Sequence, residues 1–512
     1  MTSHAENTKR IAKNTVVLYV RMLFSMLVSL YTSRLVLNTL GIEDYGIYNV
    51  VGGFVAMFSL ISGSLSASVS RFLTFELGKG DKKRLQEVFS TSLLIHIALA
   101  CAVFCVAESI GLWFLNTQMA IPDERIYAAN WVFQASVLTF MFGLFSTPYN
   151  ASIVSHERMS AFAYIGIMET VLRLLAVLFL AYSSWNYDRL IVYALLLVTI
   201  NVFLQCIYLR YCRKHFEECR LRLRFNKKCW KEMSSFAGWN FIGGTAELLK
   251  DQGVNILLNL FVGPVINAAR GLASSVNMAV NAFVVNFMTA LRPQITKSYA
   301  AGDKAYAFNL VERGSRFSFY ILFILALPIL LDTEFVLKIW LKQYPEHTVN
   351  FVRLILLVSL CDVLSHTLIN LQSATGKIRN YQLAVGGMYL MNFPFSYICL
   401  KVGFPPECTL IVALVISVFC LFLRLFFLHS MTGLSVKNYL CNVCVNVVCV
   451  SGLSMILPLS ISHVLSDGWG KFILIILTSL VGVVSTVYYV GCSGSERQYL
   501  KGQMRYLIQR YL

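Results

Sequence analysis

The chain repeats one pattern along its length: runs of about 20 mostly apolar residues, separated by short stretches that carry Gly, Pro, Lys and Arg. A helix of that length crosses the hydrocarbon core of a bilayer, where only a helix or a closed barrel satisfies every backbone N–H and C=O group. The pattern therefore predicts an all-α polytopic membrane protein with about fourteen transmembrane helices, or twelve as the alternative. The predicted spans lie near 14–37, 46–70, 88–114, 127–151, 160–183, 189–210, 234–262, 264–291, 306–331, 349–371, 381–402, 408–429, 438–462 and 470–491.

The composition agrees with this class and narrows the chemistry. Hydrophobic residues make up 57% of the chain and charged residues 13%, whereas soluble proteins carry about 25% charged residues. The chain has no glycine-rich nucleotide loop and no metalloprotease motif. Its fourteen cysteines are mostly scattered through apolar runs, and Cys441 and Cys444 lack a second pair of ligands. We therefore expect no metal, no cofactor and no enzymatic activity.

The positive charges indicate the orientation in the membrane. Fourteen spans place both termini on one side, and most of the 43 Lys and Arg residues lie in the loops of that side. Cytoplasmic loops carry such an excess, so both termini are predicted to be cytoplasmic. This asymmetry accounts for the net charge of +17 without a nucleic-acid partner. The opposite loops hold only Arg125, Arg189, Lys338, Lys342, Lys401 and Lys471.

An internal repeat indicates how the spans are organised. Arg71 aligns with Arg292, and Gly80-Asp81-Lys82 aligns with Gly302-Asp303-Lys304. The offset covers an even number of spans, so both halves have the same orientation, as in transporters with a site between two repeats. The predicted domains are an N-lobe of six helices (1–211), a basic cytoplasmic linker (212–233), a C-lobe of six helices (234–430), and two further helices with an amphipathic cytoplasmic tail (431–512).

Charged residues inside the predicted spans are the candidate functional residues. A mid-span Arg, Lys or Asp costs about 2.5–3.5 kcal/mol to insert, so it faces protein or water rather than lipid. Pairing explains part of the set, since Glu169 and Arg173 are four residues apart. The candidate cations are Arg21, Arg34, Arg71, Arg173, Lys250, Arg270, Arg353 and Arg424, and the acids are Glu169, Glu247, Asp251 and Asp362.

The remaining cations fall into two groups. Arg34, Arg71, Arg353 and Arg424 lie near span ends, where a long side chain can reach the interface. Arg21 and Arg270 have no acid within one helical turn. An unpaired cation is tolerated in a helix bundle if it lines a wet cavity that receives an anion, and guanidinium groups bind phosphate bidentately.

Two groups of titratable residues admit two interpretations each, a structural one and a functional one. Glu247 and Lys250 are three residues apart and can neutralise each other on one helix, with Asp251 beside them. Asp362 and His366 are four residues apart, and they suit either a proton relay or a hydrogen bond that holds the helix bundle together.

Two long segments resemble a known family. Residues 39–81, beginning TLGIEDYGIYNVVGG, and residues 253–303, ending LRPQITKSYAAGD, resemble the Wzx-type oligosaccharide flippases of the multidrug/oligosaccharidyl-lipid/polysaccharide exporter superfamily, most of all members from Bacteroidetes. The resemblance covers nearly the whole chain. It implies two six-helix lobes around a central cavity, often with two C-terminal helices, in agreement with the pattern of spans.

The resemblance also implies a function. Such flippases move undecaprenyl-diphosphate-linked oligosaccharide from the inner to the outer leaflet of the bacterial inner membrane for O-antigen, lipopolysaccharide or capsule assembly. A cationic lumen would hold the diphosphate, with Lys250, Arg270 and Arg21 as the first candidates and Arg71, Arg173, Arg292 and Arg353 as secondary ones. Glu169, Glu247, Asp251, Asp362 and His366 would partner these charges or couple protons. A polysaccharide polymerase and glycosyltransferases are the expected protein partners.

Two other functions remain open. A multidrug-type cation antiporter has the same fold but is expected to have an acidic lumen. A membrane polysaccharide polymerase or ligase is a different class, an enzyme that works at the outer face and usually has a large extracytoplasmic loop. The longest predicted loop of this chain is cytoplasmic, which disfavours the enzyme.

Overall fold

The computed structural model describes residues 2–501 apart from 57, 118–120, 184–186, 221–225, 342, 467, 495 and 499–500. Within these residues the regular structure is helical, with no strand. Most of the predicted amphipathic tail and the middle of the predicted basic linker lie outside the described residues. An all-α fold follows from the long apolar runs, because a helix satisfies its own backbone in lipid.

The helices group into two compact units. The N-terminal unit comprises Met1–Gly244 and Thr289–Asp303. Its helices are α1 (Thr2–Leu40), α2 (Ile42–Ala56), α3 (Ser59–Lys79), α4 (Lys82–Val106), α5 (Leu112–Thr117), α6 (Ile126–Ser155), α7 (Met159–Tyr182) and α8 (Arg189–His215). A π-helical turn at Ala107–Gly111 joins α4 to α5, and short 3-10 helices lie at Asp123–Arg125 and Glu217–Cys219.

The C-terminal unit comprises Thr245–Met288 and Lys304–Leu512. Two long helices, α9 (Lys227–Phe261) and α10 (Pro264–Ala300), contribute residues to both units. The remaining helices are α11 (Lys304–Leu331), α12 (Thr333–Leu341), α13 (Thr348–Val363), α14 (His366–Thr375), α15 (Arg379–Leu390), α16 (Asn392–Val402), α17 (Cys408–Thr432), α18 (Val436–Tyr439), α19 (Asn446–Val464) and α20 (Trp469–Thr486). π-Helical segments lie at Leu440–Val445 and Val487–Gly491.

Twelve helical segments in the described part of the chain are long and apolar enough to cross a membrane. The protein is therefore an all-α polytopic membrane protein, as predicted. Two of the fourteen predicted spans fall outside this set. The span at 46–70 is divided between α2, which ends at Ala56, and α3, which begins at Ser59. The span at 234–262 lies in α9, which carries several charges. The number fourteen and the predicted lobe boundaries stay predictions.

The two segments of the predicted repeat form the same kind of turn. Gly80 follows α3 with φ 76°, and Gly302 follows α10 with φ 85°. Glycine adopts this left-handed conformation without the steric cost that a Cβ would impose. In each turn an aspartate comes next and a lysine begins the following helix. Asp81 caps α4 by accepting a hydrogen bond from the Arg84 N–H at 3.0 Å.

Close packing fixes the helices that carry the polar side chains of the N-terminal unit. α1 packs along α7, and α6 packs along α8 and α2. Val51, Val132, Phe133 and Leu190 are fully buried where α2, α6 and α8 meet. A Cβ on Gly78 of α3 would lie 2.7 Å from the carbonyl oxygen of Lys297 in α10, so only glycine allows this approach.

Candidate functional site

A polar cavity of about 380 Å³ lies within the N-terminal unit, among α1, α2, α7 and α8. Its volume is in the range of small-molecule sites, roughly 300–1,000 Å³. All of its lining residues except Val36 and Gly166 carry a polar or charged group, in helices whose other faces are apolar. The lining residues are Arg21, Ser25, Ser29, Thr32, Ser33, Val36, Tyr45, Tyr48, Gly166, Glu169, Thr170, Arg173 and Tyr193.

Arg21 is the unpaired cation of this cavity. It lies near the middle of the Glu6–Leu40 span and is half-buried. Its guanidinium carbon lies 4.3 Å from the centre of the Phe162 ring, a cation–π contact. Arg21 forms no ion pair with any of the described residues. The sequence shows no acid within one turn of Arg21, and no carboxylate from another helix forms an ion pair with it among the described residues.

The Arg21 guanidinium lies directly against Gly166 of α7. A Cβ at Gly166 would overlap the guanidinium, because Nη2 would be 3.1 Å away and the Nε and Cζ atoms closer still. Gly166 therefore provides the space that positions Arg21. The sequence analysis missed this residue, since nothing in the sequence places α1 and α7 in contact at this level.

A row of hydroxyl groups on α1 continues the polar surface. Ser25, Ser29 and Ser33 are four residues apart and share one face of the helix. The Ser33 hydroxyl donates to the Ser29 carbonyl oxygen at 2.9 Å, and Thr32 donates likewise to Val28 at 2.8 Å. These hydroxyls keep acceptor lone pairs free for a ligand. The four-residue spacing of these serines within an apolar run is the sequence signal for this polar face.

Arg173 and Glu169 form an ion pair on α7, with Nη2 and Oε1 2.7 Å apart. This ion pair is the arrangement that the four-residue spacing of Glu169 and Arg173 suggested. Both side chains line the cavity, and 48% of the Arg173 side chain is exposed. The charged groups of the cavity are thus Arg21, Arg173 and Glu169, which leave one net positive charge.

The C-terminal unit holds a second polar region, in which the cations are buried. Arg424 of α17 is 2% exposed. Its Nε donates to the hydroxyl of Tyr381 at 2.9 Å, and its Nη2 donates to that of Tyr389 at 2.7 Å. Arg424 was expected to reach the membrane interface, which is wrong, because two tyrosines of α15 hold it inside the unit.

Lys250 also contacts Tyr389. It is 8% exposed, and its Nζ lies 4.7 Å from the centre of the Tyr389 ring and 3.9 Å from Asp251 Oδ1. Glu247 is exposed, and its carboxylate is acted on electrostatically by Lys250, Asp362, Asp251 and Arg424. These charges therefore form one group, whose members come from α9, α13 and α17.

Arg270 of α10 is also buried, at 7% exposed. Its Nη1 donates to Asn255 Oδ1 at 2.9 Å and to the Asp251 carbonyl oxygen at 3.3 Å, and its Nη2 lies 3.7 Å from Asp251 Oδ1. No acid lies near Arg270 in the sequence of α10, but Asp251 of the neighbouring helix α9 lies beside its guanidinium group.

The structure separates Asp362 from His366. α13 ends at Val363 and α14 begins at His366, with a turn between them. The two residues therefore do not share one continuous helix, as the four-residue spacing assumed. One buried oxygen of Asp362, Oδ1, has no hydrogen-bond partner among the described residues.

The other predicted cations lie away from both regions. The Arg71 guanidinium stacks against Phe72 and Phe75 at 4.5 Å from each ring centre. Arg353 Nε donates to the Thr333 hydroxyl at 3.1 Å, and Arg292 is exposed on α10. In the described part of the chain, no cluster of three or more His, Cys, Asp or Glu side chains is suited to a metal.

A family model and a curated relative match this chain. The family model described as "Polysaccharide biosynthesis protein" matches residues 11–299, more than half of the chain. The chain therefore belongs to this polysaccharide biosynthesis family. It is 20% identical over 299 residues to the "Uncharacterized membrane protein EpsK" of Bacillus subtilis, an alignment that spans 57% of this chain and 58% of that protein.

Solved structures show the fold. A multidrug resistance MATE family transporter of the MOP superfamily, in an outward-facing conformation, has a TM-score of 0.68 at 13% identity, covering 83% of this chain and 97% of that one. A MOP superfamily transporter from Pyrococcus furiosus, described as having a binding pocket of reverse polarity, has a TM-score of 0.67 at 12% identity, with 84% and 96% covered. The protein has the fold of MATE-like transporters.

Proposed function

We propose that this protein flips a lipid-linked oligosaccharide, carried on undecaprenyl diphosphate, from the inner to the outer leaflet of the bacterial inner membrane. The observation that carries the proposal is the cavity of the N-terminal unit, where the unpaired Arg21 and a row of hydroxyls lie inside a membrane-spanning helix bundle. Membership of the polysaccharide biosynthesis family and the transporter fold support the same conclusion.

The cavity has the chemistry that such a headgroup requires. A diphosphate needs cationic donors, and Arg21 and Arg173 supply guanidinium groups that bind phosphate oxygens bidentately. Sugars need hydroxyl partners and aromatic faces, and the cavity has serine and threonine hydroxyls beside Tyr48 and Tyr193, whose ring centres are 5.2 Å apart. Lys250 and Arg270 are the proposed cations of the C-terminal unit. The polyprenyl tail stays in lipid.

The electrical driving force favours this direction of transport. With both termini cytoplasmic, as the Lys and Arg distribution indicates, the headgroup moves from the negative to the positive side. Outward movement of an anion then gains about 2.3 kcal/mol per charge for each 100 mV of membrane potential. Transport makes and breaks no covalent bond, so we propose a transporter with no catalytic residue.

A cation antiporter is the second candidate, because the solved relatives include multidrug transporters and because Glu169 presents a carboxylate to the cavity. The balance of charge favours the flippase. Glu169 is neutralised by Arg173, which leaves Arg21 as the charge that a ligand meets.

Transport by the purified protein tests the proposal. The protein is reconstituted into vesicles that contain a fluorescent diphosphate-linked oligosaccharide, and an impermeant glycosidase is added outside. A flippase exposes the inner-leaflet half of the substrate to the enzyme, while empty vesicles protect it. Protection equal to that of empty vesicles, together with uptake of a cationic dye, would replace the flippase by the antiporter.

A further inference from the structure

A second cavity, of about 400 Å³, lies within the N-terminal unit and shares no lining residue with the proposed transport site. It lies where α3 ends, α4 begins, α6 turns into α7, and the chain leaves α8. Its described lining includes four carboxylates but only one lysine and no arginine. The carboxylates are Glu76, Asp81, Glu217 and Glu218, and the lysine is Lys82. The cavity is therefore acidic, in contrast to the cationic cavity around Arg21.

Glu76 is a buried carboxylate that lacks a partner. It lies one turn before the end of α3, is 8% exposed and lines the cavity. Its carboxylate forms no hydrogen bond or ion pair with any of the described residues. A buried charged group is costly unless it is paired or hydrogen-bonded. The cavity is the side from which a partner can reach this carboxylate.

The cations that act on Glu76 electrostatically are engaged elsewhere. The Arg71 guanidinium and the Lys79 ammonium lie over one phenylalanine ring of α3, at 4.5 and 4.6 Å from its centre. Arg84 Nη2 lies 2.7 Å from Glu232 Oε2. These groups attract Glu76 at longer range, but none of them neutralises it by direct contact.

Glu218 is the second buried carboxylate of the cavity. Its Oε1 lies 2.6 Å from His156 Nε2, and the imidazole stacks on the Phe216 ring with 4.1 Å between the ring centres. The other oxygen of Glu218 has no hydrogen bond among the described residues. Glu217 pairs with Lys82 at 3.4 Å, but both side chains are mostly exposed, so this pair is weak. The walls thus present acceptor oxygens to a ligand.

These acceptors suit a primary ammonium group. An ammonium has three N–H donors and no acceptor, so it can bind several carboxylate oxygens at once. A quaternary ammonium is recognised by open aromatic faces, but His156 covers one face of the Phe216 ring. A metal ion is disfavoured as well, because the described residues hold no suitable group of three His, Cys, Asp or Glu side chains.

The ends of two membrane spans place the cavity at the membrane surface. One span begins at Lys82 and another ends at His215, and both residues line the cavity. Lipid headgroups lie at this level, so an amine can come from phosphatidylethanolamine as well as from a soluble polyamine.

We propose that this cavity binds a primary ammonium group, with Glu76 and Glu218 as its main acceptors and Glu217 at its rim. The orientation included in the proposed function places the site on the cytoplasmic side. Only this placement, and not the chemistry of the site, rests on the proposed function.

Two binding experiments on the full-length protein test the site and identify the source of the amine. In the first, the melting temperature is measured in nanodiscs of phosphatidylglycerol mixed with phosphatidylethanolamine or with phosphatidylcholine, whose ammonium is quaternary. In the second, spermidine is titrated by calorimetry into the protein in a neutral detergent. A higher melting temperature with phosphatidylethanolamine identifies a lipid headgroup, and binding of spermidine identifies a soluble amine. We expect at least one of these responses.

Variants assign the response to the cavity. Glu76→Gln keeps the size of the side chain and removes its charge. It should abolish the difference between the two lipids, or weaken spermidine binding roughly ten- to a hundredfold, as expected for one hydrogen bond to a charged group. Glu217→Gln, at an exposed position, should have a smaller effect in the same direction. The matched control is Glu124→Gln, an exposed carboxylate outside the cavity, which should respond as the wild type does.

Equal melting temperatures in both lipids, together with no binding of spermidine, would overturn the proposal. A response of wild-type size in both Glu76→Gln and Glu217→Gln would also overturn it, because the amine would then bind elsewhere. If Glu76→Gln does not fold, Glu217→Gln decides the outcome. The transport assay is separate from these measurements, so a protein that binds the amine but flips no substrate would refute the flippase and leave this site intact.

Discussion

The two polar regions of this protein hold their cations in opposite ways. In the N-terminal unit, Arg21 lines an open cavity and has no carboxylate partner among the described residues. In the C-terminal unit, Arg424 is buried between two tyrosine hydroxyls, and Arg270 is buried against Asn255 and Asp251. Similar side chains in similar apolar helices thus have different surroundings. The two buried arginines have partners within their unit, whereas Arg21 faces an open cavity that a ligand can enter.

Replacement of Arg424 should have the largest effect on stability, because it removes the hydrogen bonds that this residue donates inside the C-terminal unit. Arg424→Leu leaves two tyrosine hydroxyls in the interior without their donor, and each buried polar group left unsatisfied costs about 1–3 kcal/mol. We expect a large fall in the apparent melting temperature in detergent. Arg173→Leu is the matched control, since its pair is half-exposed and such pairs contribute about 0–1 kcal/mol. Equal stability of the two variants would remove the distinction between the regions.

Replacement of Arg21 should affect transport instead of stability. Arg21→Gln removes a charge that no carboxylate in the described part of the chain neutralises. A hydrogen bond to a charged group contributes about 1.5–3 kcal/mol, or roughly ten- to a hundredfold in substrate affinity. We expect transport in vesicles to fall by that order at an unchanged melting temperature. Arg21→Lys should retain part of the activity. Normal transport by Arg21→Gln would show that the cavity cation does not bind the substrate.

A smaller effect is expected when Arg21 is displaced and not removed. Gly166→Ala puts a methyl group where the guanidinium lies, so the side chain must turn away from its position over Phe162. We expect transport to fall less than in Arg21→Gln. The control is Gly143→Ala in α6, where a Cβ meets no atom within 4 Å. Identical transport by the two alanine variants would mean that the position of Arg21 is unimportant.

The smallest effect concerns a carboxylate outside both regions. Burial alone would raise the pKa of Glu407, but hydrogen bonds from Asn350 and His347 outweigh it and hold that pKa below its ordinary value of 4.5. A lowered pKa stabilises the folded protein above pH 4.5, and this contribution is lost as the pH falls through the folded-state pKa. The melting temperature of the wild type should therefore exceed that of Glu407→Gln at pH 7, and the difference should shrink near pH 4. A constant difference would contradict this assignment.

The class of fold and the list of charged residues inside the spans could be predicted from the sequence. A long apolar run indicates a membrane span, and a charged residue within such a run can be recognised directly. The role of each charge could not be predicted. The buried position of Arg424 depends on hydrogen bonds to two tyrosines in α15, and the space around Arg21 depends on Gly166 in α7. These contacts are set by the rotation and height at which helices pack, and no local pattern reports them. The break between Asp362 and His366 likewise interrupts an apolar run without a Pro or Gly to signal it.

The most direct test of the central claim is the leaflet on which lipid-linked oligosaccharide accumulates when this protein is absent. A deletion strain is converted to spheroplasts, and the saccharide is probed with an impermeant lectin before and after the membrane is opened. A flippase predicts complete units trapped on the cytoplasmic leaflet, which return to the outer leaflet when the wild-type chain, but not Arg21→Gln, is expressed. Units that reach the outer leaflet normally in the deletion strain would contradict the account.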